Sequence, residues 1–266
     1  MGLRLTLLTA ALATCLLVPP PVSAGQTGCL ACHPPHYTNL RGCTGCHRGN
    51  DATGRKEVAH DGMIPGRYSW FTIAGAPPVA RGKKLLELYA CRRCHTAQGR
   101  GNRLAMELDG LLATRRPREI ALAIAKPAQC MPDFHLAEGE VTCLVNAILA
   151  GEKREAGKRA ETPLVVHFAD EGKREENVFE RECGGCHRML NEKHGALGRG
   201  DVGPNLSGFF TPFYPRSYSQ NEPWNAEHLR KWLENPRRIR RNAQMPPVRL
   251  KTEEFGRLVE ILGKTK

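Results

Sequence analysis

Beyond its first two dozen residues the chain lacks any apolar run near the ~18 residues that suggest a membrane span, so no spanning helix is expected downstream. It also lacks an RNA- or DNA-binding motif to accompany its surplus of 39 Lys and Arg over 27 Asp and Glu. Basic charge alone does not imply a nucleic-acid partner. A length of 266 residues allows one large domain or two to three small ones. Residues 1–24 read as a secretory leader: Arg4 is the early charge, Leu5 to Val18 is almost wholly apolar, and Val22-Ser23-Ala24 offers small residues for cleavage. The expectation is a soluble mature chain starting at Gly25, in the periplasm or another exported compartment, the cell surface included. A rival reading takes Leu12-Ala13-Thr14-Cys15 as a lipoprotein box, which would add a lipid anchor. Against it, Thr14 is a poor residue before the cut, and Leu16-Leu17-Val18 is an unusually apolar start for a lipoprotein.

What the chain does have is cysteine. It carries eleven, ten of them beyond the leader, and eight of those ten fall into four copies of Cys-x-x-Cys-His. The copies are Cys29–Cys32–His33, Cys43–Cys46–His47, Cys91–Cys94–His95 and Cys183–Cys186–His187. From this composition roughly 0.02 copies would arise by chance. A zinc site pairs two Cys-x-x-Cys units without needing a His after each, and a disulfide framework needs no His at all. The pattern is the attachment signature of c-type haem. Two thiols bond one porphyrin as thioethers, the two residues between them set the span, and the next residue aims its imidazole at the iron. The expected cofactors are therefore four covalently bound haems c, with His33, His47, His95 and His187 as proximal ligands. The sixth position then decides the chemistry: a His or Met closes the iron for electron transfer, and an empty position opens it to ligands.

An internal repeat organises the rest. Residues 131–148 align without a gap on residues 245–262: Met131-Pro132 matches Met245-Pro246, and Leu136 matches Leu250. Val141, Leu144, Val145 and Ile148 match Phe255, Leu258, Val259 and Leu262, each quartet with the i, i+3, i+4, i+7 spacing of a helix face. Thr252, followed by two glutamates, is expected to cap its helix. Each copy reads as a haem motif, a loop, a helix, a Met-Pro loop and a final helix.

That order resembles the class I family of cytochromes c. In the C-terminal copy, about residues 172–266, Phe179 precedes Cys183 by four positions, Gly203-Pro204-Asn205-Leu206 follows the motif, and Leu229 to Asn235 forms a middle helix stopped by Pro236. The resemblance implies that the carbonyl of Pro204 receives the N–H of His187, and that Met245 is the sixth ligand. The middle copy, about residues 80–151, has Leu108-Asp109-Gly110 where the other has Leu206-Ser207-Gly208, but Met106 stands in place of Pro204 and leaves the imidazole partner open. Its helix runs from Glu119 to Ala125, and the haem-covering loop is short, with Met131 and His135 as alternative ligands. The N-terminal segment, residues 25–66, lacks the Met-Pro repeat and resembles the haem-pair modules of bis-His multihaem cytochromes. Its two spare histidines, His36 and His60, equal the two sixth positions needed. A crossed arrangement would put His36 on the haem of Cys43 and Cys46, and His60 on that of Cys29 and Cys32; Met63 is an alternative to His60. The expected fold is mostly α with much irregular loop: a small haem-organised dihaem module followed by two small α-helical class I-like domains. Residues 65–78 and 152–177 read as linkers.

Cys130 and Cys143 lie outside the motifs, and in an oxidising compartment they are expected to pair as a disulfide. His167, His194 and His228 read as surface or loop histidines. Arg237, Arg238, Arg240 and Arg241 precede Met245 and suggest docking of an acidic redox protein. Allowing for the leader and the haem propionates, the formal charge of +12 falls to about +7. The expected function is electron transfer between protein partners. One alternative is a reductase or peroxidase of a small oxidant at the middle haem, where Arg92, Arg93, Arg115 and Arg116 would attract an anion. The other is a subunit of an extracellular cytochrome wire.

Overall fold

The computed structural model describes residues 28–128, 130–151 and 177–263. The expected leader with Cys15, the charged stretch 152–176 and its His167 lie outside the described residues. The chain is mostly helical, with long irregular loops.

Residues 28–63 contain a 3₁₀ turn at Gly28–Ala31, helix α1 (Cys43–His47) and helix α2 (Lys56–Ala59). None of these residues is buried. So short a segment has too little apolar surface to form a core. Backbone bonds between its ends hold it, Gly28 N–H to the Asp51 carbonyl at 2.7 Å and Asn50 N–H to the Ala59 carbonyl at 3.0 Å.

The middle unit is built on two packed helices, α3 (Pro77–Leu88) and α5 (Glu138–Gly151), with α4 (Pro117–Ala125) beside α5. Pro77 and Pro78 open α3 where their missing N–H groups leave no bond unmade. Glu138 and Glu140 sit in the first turn of α5, where the helix dipole favours negative charge. Val141, Leu144, Val145 and Ile148 are all buried, as their spacing requires. The two helices approach closely at Gly82, where a Cβ would overlap the Cys143 carbonyl oxygen and stand 2.7 Å from the Ala147 Cβ.

Residues 65–78 are not a free linker. Ile64 and Tyr68 belong to the middle core. The buried Asn146 amide donates to the Arg67 carbonyl at 2.8 Å and accepts from the Phe71 N–H at 3.1 Å. An aromatic-rich segment gains more by burial than by spanning solvent, and the buried amide satisfies the backbone it covers.

The C-terminal unit begins at α6 (Val178–Glu182), capped by the Asn177 side chain. A hairpin the sequence did not signal follows, β1 (Met189–Asn191) antiparallel to β2 (Gly195–Leu197) with Leu190 opposite Ala196. Then come α7 (Ala226–Glu234), α8 (Pro236–Ile239) and α9 (Thr252–Gly263). Pro236 ends one helix and also starts the next. Thr252 is the first residue of α9 and not its cap; Glu254 reaches back to the Lys251 N–H at 3.0 Å and does the capping. Phe255, Leu258 and Leu262 are buried against Phe179 and its neighbours, with Ile261, while Val259 is half-buried. Among the described residues no helix is long and apolar enough to cross a membrane.

Candidate functional site

The four motifs share one local conformation. In three of them the His amide donates to the carbonyl of the first Cys, from His33 to Cys29 at 3.0 Å, His95 to Cys91 at 3.0 Å and His187 to Cys183 at 2.9 Å. In the second motif the same turn is α1 itself. One i to i+4 turn places positions i, i+3 and i+4 on one face, so both sulfurs and the imidazole point to the same side. Burial pushes the Cys91 and Cys183 thiols up to about 11, so no ready thiolate stands there at neutral pH.

Three of the four motif histidines are oriented through Nδ1. His187 donates to the Pro204 carbonyl at 2.8 Å, His95 to the Met106 carbonyl at 2.7 Å and His47 to the Ile64 carbonyl at 3.1 Å. A carbonyl only accepts, so Nδ1 carries the proton and Nε2 keeps the lone pair that a metal takes. The place of Met106 therefore leaves His95 no less held than His187, because every residue has a carbonyl. Burial lowers the His95 pKa against the opposing pull of the Met106 carbonyl. Gly203 lies directly under His187: a Cβ there would stand 2.5 Å from its Nδ1 and 2.8 Å from its Nε2.

The N-terminal histidines meet in two crossed pairs. The rings of His33 and His60 have centroids 6.0 Å apart, and those of His36 and His47 lie 5.7 Å apart. Two metal–nitrogen bonds of about 2.0 Å each, plus about 1.1 Å from each nitrogen to its ring centre, give about 6.2 Å for two imidazoles on one iron. Both pairs lie within about half an ångström of that span, the separation that a shared metal ion would need. Among the described residues no three His, Cys, Asp or Glu side chains gather as a metal site. The donors come in twos, where a closed tetrahedral zinc site needs four.

Met245 is half-buried against the C-terminal core, and the Trp232 Nε1–H points at its sulfur from 3.1 Å. Met131 is half-buried. Its rival His135 turns away: its side chain is 86 % exposed and faces Asp133 at 3.4 Å. Met63 is exposed. His194 is half-buried, and His228 stacks on Tyr218 with ring centroids 3.9 Å apart.

The expected Cys130–Cys143 disulfide is not formed. Cys143 packs on the middle core beside α3, and Cys130 is buried, its carbonyl taking the Asn205 amide at 2.9 Å. The arginines of the third motif are not an anion-attracting surface either. Arg92 is 5 % exposed and paired with Glu87, and Arg93 is 9 % exposed with its guanidinium on the Asn205 carbonyl at 3.0 Å. Arg115 and Arg116 do remain outside, lining a cavity of about 360 Å³ with Arg48 and His60, but Asp61 and Glu119 line it too and offset their charge.

Sequence reasoning missed α3, the Ile64 carbonyl, Trp232 and the role of Asn205. For Trp232 a signal existed: it falls in the helix before the Met-Pro loop. For a carbonyl no signal can exist, since its chemistry is common to all residues. No family model, curated protein or solved structure matches the chain, so the functional reading rests on its own residues.

Proposed function

We propose that the chain is an exported tetrahaem c-type cytochrome that transfers electrons between protein partners. One observation carries the reading: residues 28–63 bury no side chain of their own, yet they hold two crossed His pairs at 5.7 and 6.0 Å. A peptide without a core keeps such an arrangement only around something that supplies one, and two porphyrins would.

Cys29 and Cys32, Cys43 and Cys46, Cys91 and Cys94, and Cys183 and Cys186 would each anchor one haem. His33 with His60 and His47 with His36 would close the first two irons. His95 with Met131 and His187 with Met245 would close the others. The haem supplies the one-electron couple, and the chain supplies spacing, ligand identity and exclusion of water. The Pro204, Met106 and Ile64 carbonyls keep each imidazole in one tautomer and one plane. Met ligands raise a potential relative to bis-His ligation, so the N-terminal pair forms the low-potential end and the C-terminal haem the high-potential end. Arg237, Arg238, Arg240 and Arg241 are exposed ahead of Met245 and suit an acidic partner at that end.

The burial of Arg92 and Arg93 and the Met106 carbonyl that stands in for the missing proline remove two motives for an enzymatic middle centre. The test is a spectroelectrochemical titration of the holoprotein, repeated under carbon monoxide. Four one-electron steps, none moved by carbon monoxide, are expected. Fewer than four haems per chain, or tight carbon monoxide binding to the native protein, overturns the closed tetrahaem relay.

A further inference from the structure

We propose that Asn205 is a positioning residue for two iron centres at once, and that it joins the third and fourth haem sites into one coupled pair. The inference rests on the tetrahaem reading above.

Asn205 is placed where both centres can be held. The residue before it, Pro204, offers the carbonyl that orients His187. Its own side-chain Nδ2–H donates to the Cys130 carbonyl at 2.9 Å, one residue before Met131. Its Oδ1 accepts from the Ser207 N–H at 3.0 Å and the Ser207 hydroxyl at 2.7 Å, which locks the turn. Its backbone carbonyl takes the guanidinium of Arg93, inside the third motif, at 3.0 Å, and the Tyr214 hydroxyl at 3.3 Å. Both polar ends of one side chain and its main chain are thus committed, on one side to the Met131 loop and the third motif, on the other to the His187 turn.

The contact around it is tight. Gly208, at φ +66°, lets the turn lie against the third motif; a Cβ there would stand 2.5 Å from Asn102 Nδ2 and 2.6 Å from the Arg93 carbonyl. Asn102 closes the joint by donating to the Arg93 carbonyl and to the Thr211 hydroxyl, each at 2.9 Å. Arg93 is 9 % exposed, and among the described residues no carboxylate pairs with it, so its charge acts at short range on both sides of the joint.

The Met131 loop is short, and the Asn205 amide ties it to the fourth site one residue before Met131, while the Met131 N–H to the Ala128 carbonyl, at 3.3 Å, holds it only locally. Loss of that tether should free Met131 from its iron, and loss of the Oδ1 lock should loosen the Pro204 carbonyl and His187 together. The experiment is Asn205→Ala in the full holoprotein, read by haem stoichiometry, carbon monoxide binding and redox titration, with Asn225→Ala as control. Asn225 caps α7 in the same unit, accepting from His228 N–H at 2.8 Å, and does not touch the joint. Four haems should stay attached in all three proteins. In Asn205→Ala one haem of the four should bind carbon monoxide where the native protein binds none. The two higher-potential steps should move while the two lower ones stay, and Asn225→Ala should match the native protein. A single moved step, no moved step, or the same change in Asn225→Ala overturns the proposal. A native protein lacking two His/Met haems overturns instead the reading beneath it.

Discussion

Replacing Gly203 with alanine tests the geometry of the fourth site most directly. The added Cβ would lie 2.5 Å from His187 Nδ1 and 2.8 Å from Nε2, against the roughly 3.5–4.0 Å at which carbon atoms rest. The ring must retreat by about an ångström. Its 2.8 Å bond to Pro204 begins one residue further along the same backbone and cannot follow that shift intact. Overpacking a close contact costs about 1–3 kcal/mol, and the lost hydrogen bond about 0.5–1.5 kcal/mol, for a total of about 1.5–4.5 kcal/mol. Gly256→Ala is the counterpart. Gly256 lies inside α9 with no heavy atom within 4 Å of its would-be Cβ, so alanine should stabilise by about 0.5–1 kcal/mol through the unfolded chain. Denaturant titration of the holoprotein measures both. Trp224 and Trp232 lie in the C-terminal unit, and release of their fluorescence from haem quenching would mark its unfolding. If Gly203→Ala unfolds at the native midpoint with an unchanged haem spectrum, the imidazole does not sit against this turn and the reasoning fails.

Tyr214→Phe should change alkaline stability. Burial raises the phenol to about 12, against the lowering effect of Arg93 and Arg240. The folded value lies above the unfolded one, so its contribution is whole below about pH 10 and is lost as pH rises through the folded value. A shift of that size is worth about 2–3 kcal/mol at the alkaline extreme. Phenylalanine should remove this decline between the two values; an identical alkaline limb in both proteins would rule it out. Glu254 works in the opposite sense: the Lys251 N–H first, then Arg181, hold its carboxyl below the ordinary range. Its stabilising effect is present above that range and fades as pH falls, so Glu254→Gln should flatten the acid limb, and less so in high salt; an unchanged limb at low salt would refute this. Trp232→Phe removes the N–H aimed at the Met245 sulfur. With Met245 as the proposed iron ligand, losing that donor would leave more electron density on the sulfur, so the highest potential in the redox titration should fall by about 20–60 mV, the one-electron equivalent of a net hydrogen bond. A rise, or no change, would detach Trp232 from that ligand.

Several parts of this protein were legible in the residues alone because the physics behind them is local. A Cys-x-x-Cys-His motif closes one turn on itself, so spacing is enough to put two sulfurs and an imidazole on one face. The quartets from Val141 to Ile148 and from Phe255 to Leu262 carry a helix period, and α5 and α9 follow it. The absence of any peptide core between residues 28 and 63 was likewise implicit in the length of that segment. Other features were decided by contacts across long stretches of chain. His36 meets His47 and His60 meets His33 because the loops fold back on each other; composition allowed either pairing. Asn205, 75 residues from Cys130, takes up the Cys130 carbonyl, a contact that no count of cysteines signals. Met106 takes the part of Pro204 because orientation of His95 needs a carbonyl and not a particular side chain. A backbone carbonyl is identical in every residue, and only the tertiary structure selects which one is presented to which imidazole.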